Sequence, residues 1–272
     1  MAINKKLIYF YNKKDFENEV ANGNILDHSI VFIQDSKEIS TRGEVYKSIN
    51  WSVLEESKEL VINSAGKPNG VYVVTKDGEL VDKSTAAADA LGVALITANQ
   101  RILIEKNGES NTDIIKAAYD ADGASDTEYK YFYWGMYGSD VAGITNISSQ
   151  DAAKQDFNGK ANTAAIIATP DTDSYTTYAN MGTYCTKFNE MSGTYSDWYV
   201  PAAGQLHEIY TNVTDINAAL TNIGGTALES GYSWSSSEYG ASDAWYVNFD
   251  NDGVYSGDKR SSCWVRFVRD IN

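Results

Sequence analysis

Histidine and cysteine are each present only twice in this chain of 272 residues, and each shortage removes a class of function. His28 and His207 have no His or Cys companions at zinc-ligand spacing, which argues against a zinc centre and against a histidine-based triad. Cys185 and Cys263 lie far apart, whereas a secreted module stapled by disulfides carries a denser framework. No bridge is predicted, and each thiol stands either as a small buried hydrophobe or as an exposed group. A run of about 18 apolar residues is also missing, so no membrane insertion is expected. The N-terminal Met1-Ala2-Ile3-Asn4-Lys5-Lys6 leads into a mixed polar stretch without the apolar region and cleavage site of an export signal.

Positive charge is short as well. Lys and Arg total 22 against 37 Asp and Glu, a formal charge of −15. Such a surface repels phosphate backbones and anionic lipid, so nucleic acid is not an expected partner. No glycine-rich loop follows a strand, because Gly224-Gly225 falls at a helix end, and Ser235-Ser236-Ser237 lacks the glycine flanks of a nucleophile elbow. The Asp120–Asp126 run lacks the spacing and closing Glu of a calcium loop, and a hairpin turn accounts for Asp250-Asn-Asp252-Gly253. With 37 acids some carboxylate pair always exists, so pairing alone does not argue for sugar hydrolysis. No catalytic residue, metal or cofactor is predicted.

What the chain does have is aromatic surface. Aromatics make up 12% of it, with 19 Tyr and 6 Trp, a composition suited to extended ring packing or to a Tyr-rich contact face. Length favours two or three compact units. Residues 1–65 read as a small mixed module, with a helix around Phe16 and Val20 and strands at 29–33 and 59–62. Residues 66–110 read as a small β module: Gly70–Thr75 and Glu79–Val81 flank an Asp77-Gly78 hairpin signal for a type I′ turn, and 92–96 and 101–105 make a second pair. Residues 111–128 are polar and read as a linker.

From Tyr129 the texture changes. Tyr131–Gly135 is an aromatic strand. Tyr178, Met181, Cys185 and Phe188 recur at helical spacing within about 174–191, which places Cys185 in a core. Leu206 and Ile209 mark a short helix, and Ile216, Ala219, Leu220 and Ile223 mark another that stops at Gly224. Trp245, Val247 and Phe249 alternate with Tyr246, Asn248 and Asp250 as in a half-buried strand, and 264–268 read as a closing strand. Between them, Tyr255–Cys263 is small, polar and without period, the signature of a displayed run.

Gly231-Tyr-Ser-Trp-Ser-Ser-Ser-Glu238, Ala244-Trp-Tyr-Val-Asn-Phe249 and Val265-Arg-Phe-Val-Arg-Asp270 together resemble the C-terminal variable region of proteins diversified by retroelements. These have a C-type lectin fold of the formylglycine-generating-enzyme-like type. Asp156-Phe-Asn-Gly-Lys-Ala-Asn-Thr163 and Asp197-Trp-Tyr-Val-Pro-Ala-Ala-Gly204 resemble the same family, so the likeness spans 129–272, with 231–270 as its variable region. The resemblance implies adenine-directed mutation of Asn codons, which reaches no codon for Trp, Lys, Glu, Gln or Met. Tyr239, Gly240, Ala241, Ser242 and Asp243 obey that limit, as do Tyr255, Ser256, Gly257, Asp258, Arg260, Ser261, Ser262 and Cys263. Lys259 does not and is expected to be fixed or differently encoded.

Tyr246, Asp250 and Asp252 complete the expected ligand surface, over a framework of Trp234, Trp245, Val247, Phe249, Val265 and Val268. The tripeptides of calcium-dependent sugar-binding lectins are absent, and neither cysteine sits as a formylglycine-generating enzyme requires. The expected fold class is α+β, a C-terminal C-type lectin fold behind small β-rich N-terminal modules. The expected function is binding to a bacterial surface receptor, protein or glycan, by a phage tail component made in the host cytoplasm. On that reading the N-terminal modules attach to tail proteins and the chain forms a homo-oligomer, with a trimer in view. A bacterial cell-surface adhesin or a glycan-degrading tail enzyme are the alternatives.

Overall fold

The computed structural model describes residues 61–171, 175–193 and 195–271, together with the backbone of four strands in the first sixty residues. The chain divides into two units, Met1–Glu59 and Leu60–Asn272. In the first, β1 (Leu7–Phe10), β2 (Ile30–Ile33), β3 (Glu38–Thr41) and β4 (Glu44–Tyr46) form one sheet in that order, with β1 and β2 parallel. The strand expected at 29–33 is β2. The helix expected near Phe16 lies outside the described residues, and Val61 and Ile62, at the end of the strand expected at 59–62, belong to no strand.

The second unit is α+β, and its centre is the segment that reads in sequence as a separate β module. β5 (Gly70–Val74), β6 (Leu80–Asp82), β7 (Gly92–Ile96) and β8 (Arg101–Glu105) join the C-terminal strand β14 (Val268–Asp270) in one five-stranded sheet, ordered β14-β8-β7-β5-β6. Every residue of β7 is buried, because this sheet is covered on both faces and so loses the alternation of a half-exposed strand. Val74, Ala94, Ile96 and Leu103 face one apolar cluster, and Val71, Val73, Val93, Leu95, Ile102 and Ile104 face the other. The hairpin at 75–79 is not type I′. Only Gly78 has positive φ, +81°, and Gly78 N–H donates to the Thr75 carbonyl, a type I turn closed by a left-handed glycine.

The polar run expected as a linker is α1 (Thr112–Asp122). Ile115, Ala118 and Tyr119 bury one narrow face, and Gly123 at φ +63° ends the helix in the left-handed conformation. That face packs on the core beside the helix at Met181–Met191, so the segment is part of the unit. β9 (Phe132–Tyr133) follows, then α2 (Gln150–Ala153) and α3 (Gly159–Ala168). β10 (Ala179–Asn180) pairs in parallel with β9, and α4 (Met181–Met191) begins where the Asn180 side chain accepts the Gly182 N–H. The sequence stripe therefore overreaches at its start: Tyr178 precedes the helix. α5 (Ala203–Thr211) and α6 (Val213–Asn222) match their predicted stripes and cover the second face of the sheet through Leu206, Ile209, Ile216 and Leu220.

β11 (Tyr232–Glu238), β12 (Asp243–Asn248) and β13 (Gly253–Asp258) form an antiparallel three-stranded sheet. The closing strand β14 (Val268–Asp270) starts four residues later than the sequence pattern suggests and pairs with β8. Residues 263 and 264 make only single bridges, Cys263 to Phe132 and Trp264 to Ser233. Both cysteines are free and buried.

Candidate ligand-binding surface

The small sheet is anchored from below by tryptophans whose indole N–H groups are all bonded. Trp134 donates to the Ser235 carbonyl at 2.8 Å, Trp234 to that of Phe132 at 3.0 Å and Trp245 to that of Ile147 at 2.9 Å. Burying rings of this size without orphaning their donors fixes the strands in position. Of the expected framework, Trp234, Trp245, Val247, Val265 and Val268 are buried and Phe249 is half-buried.

A polar network welds the same strand to the rest of the unit. Ser235, Ser236, Ser237 and Glu238 are all fully buried. Ser237 Oγ donates to Asp156 at 2.6 Å, and the Asp156 carboxylate also accepts from the side chains of Asn158 and Asn162 at 2.9 and 3.0 Å. Gln205 Oε1 accepts the backbone N–H groups of Gly159 and Ala202. Three of the five motifs that carry the family likeness, 156–163, 197–204 and 231–238, thus meet at one place, where a buried carboxylate has its lone pairs satisfied.

Lys259 lies inside the run expected to be displayed, yet its side chain is 0% exposed and its ammonium sits 2.5 Å from Glu238. It also donates to the Ser139 carbonyl and lies 4.8 Å above the Trp134 ring. Glu238 accepts the Val141 N–H as well, and burial pushes its carboxyl above the ordinary range despite the lysine. Cys263 is the second correction within the run. At 3% exposure it exchanges backbone hydrogen bonds with Phe132 in both directions, and burial raises its thiol pKa.

The remaining residues sort into four places. Tyr246, Gly257, Arg260, Ser261 and Ser262 line a groove of about 790 Å³, with Cys263 at its floor. Tyr239–Asp243 form the turn between β11 and β12, where Gly138 N–H donates to the Ala241 carbonyl and Lys259 N–H to that of Ser242, so this turn sits beside the end of the second run. Asp250 and Asp252 occupy the turn at the other end of β12, where Asp252 lies 3.2 Å from His207 Nε2, and they do not line the groove. Tyr255, Ser256 and Asp258 are exposed on β13, the sheet's edge.

Tyrosines build both sides of the groove. Tyr232, Tyr246 and Tyr255 cross the three strands in a row, with ring centroids 5.2 and 5.9 Å apart. Tyr232 and Tyr255 are 50% and 41% exposed. Opposite them, Tyr131 packs on Trp264 at 4.8 Å and on Tyr178 at 6.3 Å, and Tyr175 continues the wall. Burial raises the phenol pKa of Tyr246 and Tyr175, which stay neutral at physiological pH and keep both donor and acceptor capacity. Arg260 stacks 4.1 Å over Tyr137 at the rim, and Lys130 lies 4.6 Å over Trp264. Among the described residues that line the groove none is a carboxylate, although the chain carries 37 of them. Sequence reasoning missed the wall of Tyr131, Tyr175, Tyr178 and Trp264. Its only signal was the tyrosine excess itself, since Tyr131 and Trp264, 133 positions apart, meet there only through the fold.

Among the described residues no group of three or more His, Cys, Asp or Glu is arranged to hold a metal ion, and no helix is long and apolar enough to cross a membrane. No curated protein matches the chain. A solved structure, a fimbrial protein from Bacteroides ovatus ATCC 8483, aligns over 74% of this chain and 48% of its own at 15% identity, with a TM-score of 0.49. This chain therefore spans about half the length of that protein. Residues 147–269, which include the sheet, its anchors Trp234 and Trp245 and the second wall of the groove from Tyr175 onward, match the family model described as the Lcl C-terminal domain.

Proposed function

We propose that this protein is a receptor-binding adhesin and that the tyrosine-walled groove on β11–β12–β13 is where it holds its ligand. One observation carries the reading: six residues that the sequence marks as changeable, Tyr246, Gly257, Arg260, Ser261, Ser262 and Cys263, line one groove walled by tyrosines, while Trp234, Ser235 and Lys259 of the same sheet and run are buried and bonded. Tyr rings offer large rigid contact areas with few rotamers to freeze, which suits recognition and demands no chemistry of the protein. The family match over 147–269 agrees with a retroelement-diversified variable protein, and the C-type lectin fold and active diversification are part of the proposal. So is the setting, a phage tail that presents the groove to a bacterial surface receptor, with the first unit as its attachment and with several copies adding avidity.

The test is adsorption of the labelled protein to a panel of bacterial strains. A strain that binds it should lose at least tenfold in affinity for the Tyr232→Ala/Tyr246→Ala/Tyr255→Ala triple variant, since aromatic anchors in a cleft dominate such interfaces. Unchanged adsorption by a folded triple variant would remove the groove from the proposal. Diversification is tested separately in DNA. A near-copy of the segment encoding residues 231–270, differing at adenines and beside a reverse transcriptase, is the expected finding. Immunogold labelling of bacterial cells in place of virions would overturn the phage setting and leave the binding reading intact.

A further inference from the structure

Gly253 and Gly257 both lie on β13, and neither has the positive φ that would call for glycine. Above each one lies a tyrosine ring. A Cβ on Gly257 would come within 2.9 Å of Tyr246 Cε1, and a Cβ on Gly253 within 1.8 Å of Tyr255 Cε2. The register explains both contacts. Tyr246 stands opposite Tyr255, and residues 253 and 257 flank Tyr255 two positions away on the same face. Each tyrosine lies down across the bare backbone of a glycine, and Tyr246 is held from its other side by Trp234 at 5.8 Å.

We infer that Gly253 and Gly257 are specificity-determining positions that act through these rings. This deepens the proposed function and rests on its reading of the groove as the ligand site. A side chain at 257 lifts Tyr246 off the sheet and changes the depth of the groove, because Gly257 and Tyr246 both line it. A side chain at 253 displaces Tyr255, which lies on the exposed edge strand beside Tyr246. The two glycines differ in one respect: Gly257 falls among the positions expected to vary, and Gly253 does not. A change at 257 therefore re-aims Tyr246 without altering the tyrosine, whereas Gly253 keeps Tyr255 seated across variants. Rings already laid in place lose little freedom when a ligand arrives, which favours affinity.

A double-mutant cycle in thermal stability tests the contact without any receptor. Gly257→Ala should lower Tm by roughly 2–4 °C in the native background and should leave it unchanged or raise it in Tyr246→Ala, where no ring is displaced. Gly253→Ala with Tyr255→Ala should behave the same way. In protein labelled with 3-fluorotyrosine, Gly257→Ala should move the fluorine resonance assigned through Tyr246→Phe and leave that of Tyr210 in place. Equal loss of Tm in both backgrounds, or an unmoved Tyr246 signal, overturns the inference. If Gly257→Ala fails to fold, the Tyr246→Ala/Gly257→Ala double variant decides: recovered folding supports the seat, and continued failure refutes it. Neither readout involves a receptor, so failure here leaves the adhesin reading standing, and failure to find a receptor leaves the seats standing.

Discussion

At the scale of single residues, the most consequential position is a lysine placed among changeable neighbours. Lys259 and Glu238 are a buried pair with further bonds to Ser139 and Val141, so either one alone would leave a charge without compensation. Lys259→Met should cost about 3–5 kcal/mol in urea unfolding, and adding Glu238→Gln should recover part of that loss. Codon logic marks Lys259 as unreachable by diversification, and the structure supplies a physical reason for retaining it. The cysteines give a pH prediction. Burial lifts Cys185 from 9.0 to about 12 and raises Cys263 as well. Folded-state pKa values above the unfolded ones stabilise the fold below about pH 9, and that contribution is lost as pH rises toward 12. Native protein should leave a thiol reagent such as Ellman's unreacted near pH 8, and both thiols should titrate in denaturant. Rapid native labelling of Cys263 would contradict its burial.

At the scale of elements, display and framework separate along β12 and β13. Alanine at Tyr255, Ser256, Asp258 or Ser261 should change stability by no more than about 0.5 kcal/mol, whereas Trp245→Ala should cost about 3–5 kcal/mol. Chemical denaturation of that set checks the division residue by residue. The alternation of β12 was legible because its apolar residues Trp245 and Val247 share one buried face, although Ala244 and Asn248 on the other face are buried too. The stripes of α5 and α6 were legible for the same reason. Segment 111–128 was misread because α1 buries a face of only three side chains within a polar run. Cys263 was misread because its place in the core and its single bridge to Phe132 leave no period in either segment.

At the scale of the whole molecule, the five-stranded sheet decides what folds. β14 is the last strand of the chain, and its partner β8 lies more than 160 residues earlier, so the C-terminal half cannot complete its core without residues 70–105. A fragment of residues 60–272 should therefore unfold cooperatively on its own, while 129–272, the span of the family likeness, should not. Circular dichroism and thermal melts of the two fragments distinguish these outcomes. A stable 129–272 fragment would mean that the N-terminal strands are an accessory and not the core.

The sequence alone determined the acidic balance, the scarcity of chemistry-bearing side chains, the helices and strands with one buried face, and the family likeness of the C-terminal half. These are local properties, written in composition, period and motif. Only the tertiary structure decided that Asp156, Ser237 and Gln205 form one bonded junction, that Lys259 and Cys263 are interior, and that Tyr131, Tyr175 and Tyr178 face Tyr232 and Tyr246 across a groove. Each of these joins residues far apart in the chain, and no local period records which distant surface a side chain will meet. The two glycines of β13 make the same point at short range. Their meaning lies in the rings above them, and it appears only once strand register brings residue 246 beside 255 and 257.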